Sequence, residues 1–482
     1  MAFGIGKPAA ALYHFLGRSQ DINSLAVLPF VNASGDSGAE YLSDGITDSL
    51  INRLSRLPKL KVMSHSAVFR YKGRETDPLA VGRELKVNAV LTGRLEQRGE
   101  SLSIGAELVD MRDNSQIWGE QYRRRLADMQ AIQEDIGLEI TDRLRLKLTG
   151  EQKKWLSERN TQNTQAYREY LKGCYHSNKR TGEGLKTAIE HFEQAIAKDP
   201  GYALAYFGLA ECYGAISTYA AVLPRDSLAK ARTAALKALQ IDGSLAEAHT
   251  ILAAAKTCID WDWAGGERDF KRGLELNPRY PNGHAWYASP LLVGMGRLNE
   301  ALVEQKRAQE LDPTSLIINT RLGDIYYLLR QYDQALEQHR QTLALDMNFG
   351  NTHLSLGSVY IQKSMYPEAI AELQTALKLL EGNPDAIARL AHAYAVSGNR
   401  VEAQKILADL TERSKRGYFP AFGIATVYLG LGDKDRAFQW LQKAIEERGG
   451  VRMMWLKVDP LFDPLRSDQR FSDLLHSMNL AP

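Results

Sequence analysis

A small residue returns at a nearly constant step between about residue 163 and residue 451, and this repeat limits the possible folds more than any other feature. It falls at Ala188, Ala231, Gly266, Ala301, Ala335, Ala369, Ala403 and Ala437, at intervals of 43, 35, 35, 34, 34, 34 and 34 residues. A step held that closely means one supersecondary unit used again and again, each burying its apolar face against the next. Other positions keep the same phase. Tyr326, Tyr360, Tyr394 and Tyr428 lie nine residues before the small one. Gly323, Gly357, Ala391 and Ala425 lie three earlier, directly after Leu322, Leu356, Leu390 and Ile424. The spacing predicts two amphipathic helices per unit, with the small residues where two backbones approach closely. Turns such as Lys198-Asp199-Pro200, Leu276-Asn277-Pro278, Leu311-Asp312-Pro313 and Gly382-Asn383-Pro384 end one unit and open the next.

These residues resemble the tetratricopeptide repeat, a helix-turn-helix unit that stacks into a right-handed superhelix. Eight units are expected over residues 163–451, with longer inter-helix loops at 177–184 and 215–227. The stretch 452–482 carries Trp455, Phe462, Leu465, Phe471 and Leu474. It is expected to cap the open apolar end of the stack.

Residues 21–150 follow another rhythm. An apolar run Ser24-Leu25-Ala26-Val27-Leu28-Pro29-Phe30 predicts a buried strand, and 39–57 has helical spacing at Leu42, Ile46, Leu50, Ile51 and Leu54. Strands are expected at 60–63, 89–96, 102–109 and 116–122, and helices at 77–85 and 129–147. Strand–helix alternation followed by a meander makes this a mixed α/β domain. Ala26-Val27-Leu28-Pro29-Phe30-Val31-Asn32, Tyr41-Leu42-Ser43-Asp44-Gly45-Ile46-Thr47, Ala89-Val90-Leu91-Thr92-Gly93 and Ile117-Trp118 are similar to the TolB-like amino-terminal domain of bacterial signalling proteins. So are the ending stretches Gly430 to Ala437 and Val458 to Leu465. That resemblance implies an α/β N-terminal domain followed by an all-α tetratricopeptide solenoid. Such proteins often carry a class III nucleotide cyclase, a Ser/Thr kinase or a winged-helix domain upstream. Residues 1–20 read as a leader or as the stub of a longer chain.

Hydrophobic residues make up 44% of the 482 and charged residues 24%, a composition that excludes disorder over most of the chain. Sixty basic residues stand against 58 acidic ones, and residues 1–150 are balanced too, 20 against 19. Such balance argues against nucleic acid as a partner. No apolar run reaches membrane-spanning length, so the expectation is a cytoplasmic chain without stable membrane insertion. The alternative is an extracytoplasmic part of a membrane-anchored parent. Cys174, Cys212 and Cys258 are too scattered for a disulfide framework or a zinc site.

No Walker A loop, zinc-protease helix, nucleophile elbow or kinase motif set occurs. The expectation is therefore no catalytic, cofactor-binding or metal-ligating residues. His249, His284 and His353 recur at one position of the first repeat helix, where a packing ring is expected. Ser43 or Asp44 is expected to cap or charge the start of its helix. The loop 32–38 lies where α/β folds often hold ligands, but its glycines follow no phosphate fingerprint. Asp260-Trp261-Asp262-Trp263 reads as tryptophans packed under a turn with solvated aspartates. Arg123-Arg124-Arg125 reads as a charged sheet edge.

By resemblance, function belongs on the concave wall built from first-helix residues. The positions that fall there are Phe207, Glu211, Thr250, Asp324, Tyr327, Leu354, Ser358, Ile361, His392, Phe422 and Thr426. The Lys and Asn of the family's carboxylate clamp are absent, so an apolar or amphipathic segment of a protein partner is the expected ligand. These observations point to a non-enzymatic adaptor of a bacterial signalling or regulatory system. The alternative is the detached regulatory half of a cyclase or Ser/Thr kinase.

Overall fold

The computed structural model describes residues 22–57, 59–74, 77–157, 161–219, 222–448 and 451–481. The expected leader, 1–20, lies outside them. The chain divides into two compact units, Met1–Glu158 and Arg159–Pro482.

In the first unit, β1 (Ser24–Val27), β2 (Val31–Asn32), β3 (Lys61–Val62), β4 (Ala89–Arg98), β5 (Ser101–Asp110) and β6 (Gln116–Arg125) form one sheet. Its order is β3-β1-β4-β5-β6, with β2 continuing beside β4. β1 runs parallel to β3 and β4, whereas β4, β5 and β6 form an antiparallel meander. Four helices, α1 (Glu40–Ser55), α2 (His65–Phe69), α3 (Pro78–Leu85) and α4 (Met129–Arg143), accompany the sheet. β1 is buried on both faces, as a parallel strand inside an α/β layer must be. Phe30 lies against Gly93, where an added Cβ would sit 2.1 Å from its ring. A fifth helix, α5 (Gly150–Ser157), packs on α4 and carries the unit past residue 150; the Arg53 guanidinium donates to the Leu156 carbonyl at 2.6 Å.

The second unit is a stack of helix pairs. All eight small residues of the 34-residue step fall in second helices, and all eight are buried. The partner glycines are sterically required: a Cβ at Gly173 would stand 2.6 Å from the Phe192 ring and one at Gly357 2.5 Å from Leu373. The expected loop at 215–227 is mostly helix instead. The first helix of repeat 2 runs Ala203–Tyr219 and the second Pro224–Ile241, so most of the longer interval is absorbed by helix extension.

The two 35-residue intervals have a definite structural outcome. In repeats 3 and 4 the first helix ends as a π-helix, at Lys256–Asp260 and Tyr287–Leu292. First helices begin at Ala246 and Pro281, 20 residues before Gly266 and Ala301; in repeats 5 to 7 they begin at Leu316, Gly350 and Pro384, 19 before their small residue. One inserted residue per unit is thus taken up by wider winding, which leaves the repeat phase intact.

Leu322 is 2% exposed at the centre of repeat 5. Leu322→Ala is expected to destabilise the second unit by about 2–5 kcal/mol, read as a lower denaturation midpoint.

Candidate functional site

The first-helix wall is where a repeat solenoid would take a ligand, and much of it is already occupied. The segment after repeat 8 packs on it. The Tyr327 hydroxyl of repeat 5 donates to Asp459 at 2.8 Å, and Arg330 donates to Asp463 at 2.8 Å. The Trp455 indole N–H donates to the Ser289 carbonyl in the π-turn of repeat 4, at 3.3 Å. In repeat 8 the rings of Phe422 and Phe462 meet edge-on, 5.4 Å between centroids. Farther on, the Trp263 indole of repeat 3 donates to the Met478 carbonyl at 2.9 Å.

Charge reinforces the fit. The guanidinium groups of Arg321 and Arg452 lie 5.2 and 4.5 Å from the centroid of the Trp455 ring system. Arg452 and Arg389 both reach Asp385 at 3.4 Å, and Arg321 pairs with Asp324 at 3.1 Å. Burial opposes the charge on Asp324 and Asp385, but the guanidinium groups outweigh it and hold both carboxyls below their usual range.

This arrangement bears on two expectations. Residues 452–481 are not confined to the end of the stack. They pack on repeat 8 and also reach repeats 3, 4, 5 and 7, because eleven apolar side chains need more cover than one helix end offers. Met453, Met454, Trp455, Leu456, Phe462, Leu465, Phe471, Leu474, Leu475, Met478 and Leu480 are all buried. Each contributes about 1.5–3 kcal/mol.

The expected wall residues are also less open than their spacing implies. Tyr327 and Phe422 are covered by this segment, while Thr250, Asp324, Leu354, Ser358, His392 and Thr426 are buried as well. Leu354 packs against Leu373 and Leu390 of its own and the next repeat, and His392 contacts the Thr426 carbonyl at 2.8 Å. Ser358 accepts a short hydrogen bond from Arg389. Phe207, Glu211 and Ile361 remain half-exposed, with Glu211 paired to Arg180 at 3.0 Å.

The recurring histidines form a ladder. His284 meets Glu304 at 2.6 Å and the Pro278 carbonyl at 3.1 Å; His353 meets Glu372 at 2.6 Å and the Met347 carbonyl at 2.9 Å. His249 faces Asp269 at 3.8 Å. In repeat 5 the same place holds Asn319, which bonds Gln338 and the Pro313 carbonyl. Each rung ties a first helix to a second helix, and in repeats 4 to 6 also to the preceding turn, so these residues are structural.

Other sequence candidates resolve in the same direction. Ser43, Asp44 and Gly45 lie inside α1 and are buried, so none caps it. Asp44 pairs with Lys72 at 2.6 Å, and burial raises its carboxyl above the usual range against the pull of that lysine. The loop 32–38 is tied down by its neighbours: the Asn32 side-chain amide donates to the Asp36 carbonyl and to Glu40, and the Gln97 backbone N–H donates to the Ser34 hydroxyl. Trp261 and Trp263 are buried, Asp262 caps the next helix, and Asp260 pairs with Arg232 at 2.7 Å. The exposed arginines of β6 face Asp135 and Asp128. Cys212 and Cys258 are buried, which pushes the Cys258 thiol up to about 12. Among the described residues, no three His, Cys, Asp or Glu side chains are grouped to hold a metal. Nor is any described helix long and apolar enough to cross a membrane.

Sequence models of the tetratricopeptide repeat match residues 360–416 and 421–449, within the stacked helix pairs of the second unit. Residues 20–137 match the second domain of HilA/YgeH-like transcriptional regulators. Among curated proteins, the chain is 32% identical over 234 residues to "Putative adenylate cyclase 3" of Rhizobium meliloti, covering 48% of this chain and 40% of that protein. It is 27% identical over 194 residues to "Transcriptional regulator HilA" of Salmonella typhimurium, covering 39% and 35%. The chain therefore spans less than half the length of either relative. A solved structure titled "Functional Characterization of Pseudomonas Aeruginosa pilF" overlaps 49% of this chain and 97% of its own, at 20% identity and a TM-score of 0.36.

One buried polar residue went unnoticed in the sequence. His339 occupies the place of Leu373, Leu407 and Leu441 in later repeats, is fully buried against Gly323, and has no hydrogen-bond partner on either ring nitrogen. Burial lowers its pKa from 6.5 to about 4, only partly offset by Asp324 at 4.0 Å. The native ring stays neutral where the unfolded ring takes a proton, so no proton-linked loss of stability arises above about pH 6.5, and the loss grows progressively as the pH falls to about 4. His339→Leu is expected to flatten that part of the stability–pH curve and to raise stability at pH 7 by about 1–3 kcal/mol. Denaturant midpoints measured between pH 4 and pH 7 check both.

Proposed function

We propose that the chain is a non-enzymatic interaction scaffold of a bacterial signalling or regulatory system. Its partner is an apolar or amphipathic protein segment taken on the first-helix wall of repeats 1 and 2. One observation carries the reading: the segment after repeat 8 packs on repeats 3, 4, 5, 7 and 8, whereas Phe207 and Glu211 of repeat 2 stay half-exposed. An aromatic ring beside an acidic group suits an amphipathic segment with an apolar anchor. A preformed helical wall also lowers the ordering cost of capture. In this reading the first unit is a TolB-like sensing domain, and its mixed sheet with the Phe30–Gly93 contact is compatible with that.

A second reading makes the chain the regulatory portion of a larger cyclase or Ser/Thr kinase. Its support is the 32% identity to a protein named as a putative adenylate cyclase, of which 40% is spanned. An antibody against residues 300–450 separates the two in the source cells. A band near 53.9 kDa favours the adaptor, and a larger band favours the regulatory portion.

A photo-crosslinking residue at position 207 is expected to capture a discrete partner in cells, while one at position 422 captures only the chain itself. Capture of the same partner from position 422 would remove the wall assignment.

A further inference from the structure

A repeat stack is ordinarily a one-dimensional object in which each unit touches only its neighbours, so local openings stay local. The second unit departs from that rule at one place. Trp263 and Met478 stand 215 residues apart in sequence, Ser289 and Trp455 166, and Tyr327 and Asp459 132, yet each pair is hydrogen-bonded. Trp263, Tyr327, Trp455 and Met478 belong to one apolar cluster that runs from Leu228 to Leu480. Trp455 is 1% exposed at its centre, and Met453, Met454, Leu456, Phe462 and Leu465 are wholly buried.

We propose that residues 451–481 are a built-in, non-exchanging occupant of the first-helix wall and that they lock repeats 3 to 8 into one cooperative unit. The segment does in cis what a bound peptide would do in trans, filling the wall with aromatic anchors and paired charges. It is not a displaceable gate, because it has no exposed apolar edge at which a competitor could begin: its apolar side chains from Met453 to Leu456 and from Leu474 to Leu480 are buried throughout. Two further features adapt the wall to it. The Ser289 carbonyl that receives Trp455 belongs to the π-turn of repeat 4. The π-turn of repeat 3 ends in Trp261, held in the left-handed region at φ 51° and accepting from Asn479 at 3.4 Å. Both wide turns of the stack thus sit where the segment lands. The proposal stands independently of which partner the chain binds, since it concerns the chain alone.

Hydrogen exchange on the full chain tests the coupling. Trp455→Ala is expected to speed exchange by about a hundredfold or more in both Ala253–Val293 and Ala421–Ile445, with far less change in the repeat 1 helices Thr164–Ser177 and Gly182–Lys198. If that variant fails to fold, Tyr327→Phe is expected to give the same paired pattern at about tenfold. Loosening confined to Ala421–Ile445 would overturn the coupling. A fluorescent synthetic peptide of sequence 451–481, added in large excess to the native chain, is expected not to bind. Saturable binding of that peptide would make the segment an exchangeable gate and overturn the claim of permanence.

Discussion

The placement of Trp455 governs the second unit. An indole with 1% exposure must be surrounded, and repeat 8 alone cannot surround it. It takes the Ser289 carbonyl from repeat 4, the Arg321 guanidinium from repeat 5 and Arg452 from its own segment. Those contacts require repeats 4, 5 and 8 to curve around a common interior. Curvature in a solenoid otherwise comes from small rotations between neighbours, which leave it soft to bending. Here a filled interior resists bending directly, since closing or opening the curve would either compress a packed core or void it.

The irregularities of the repeat acquire meaning beside that constraint. Repeats 3 and 4 each hold one extra residue, and each winds it into a π-turn rather than a loop. A loop would have left backbone polar groups to be satisfied at the buried side, whereas a π-turn keeps most of them bonded within the helix. Wider winding also turns successive carbonyls outward from the ladder, and the Ser289 carbonyl is one that finds a new donor. Polar residues in the middle of the stack follow a related logic. Gln305 and His339 replace the leucine of later repeats at a wholly buried place; Gln305 recovers one bond to the Ile318 carbonyl, and His339 recovers none. Repeat 5 therefore gives up stability that its neighbours keep, and cover from the Arg330–Asp463 and Tyr327–Asp459 bonds offsets part of it.

How much of this could be read in the sequence depended on range. The 34-residue step is a local signal repeated many times, so the helices, their small residues and the eight units were legible from Ala188 to Ala437. The 35-residue intervals even marked where the π-turns lie, although only wound backbone reveals them. The strands from Ala89 to Arg125 were legible for the same reason, as alternation between short turns. The destination of Trp455 was not. Its segment has no period, and its partners lie more than a hundred residues away, so nothing near it in sequence says which wall it meets. The wall residues are a different case. Spacing puts Tyr327 and Phe422 on first helices, but a face is not a vacancy, and occupancy is decided by segments elsewhere in the chain. Asp44 does not cap its helix because α1 already begins at Glu40, and its carboxylate instead pairs with Lys72, 28 residues on.

A filled wall changes what scaffolding means for this chain. Binding and stability ordinarily compete for the same solenoid surface, because an open groove leaves apolar area in water until a partner arrives. Here that competition is resolved by position along the stack. Repeats 3 to 8 bury most of their inner apolar area, with the rings of Trp261, Trp263, Trp455 and Phe462 all inside and Ile361 of repeat 6 left half-exposed. Repeats 1 and 2 have no such filler described against Phe207 and Glu211; Phe207 packs on a small cluster of Ala203, Ala238, Leu245 and Ala248, and the other clusters there are small as well, around Ala188 and Phe192 and around Ala210 and Ala235. Small cores open more readily than large ones, so the first two repeats are where the chain can adapt its shape to a ligand. On the proposed reading the long, self-filled part of the solenoid is a rigid mount. Recognition is left to the short, adaptable part that follows the sheet unit in sequence.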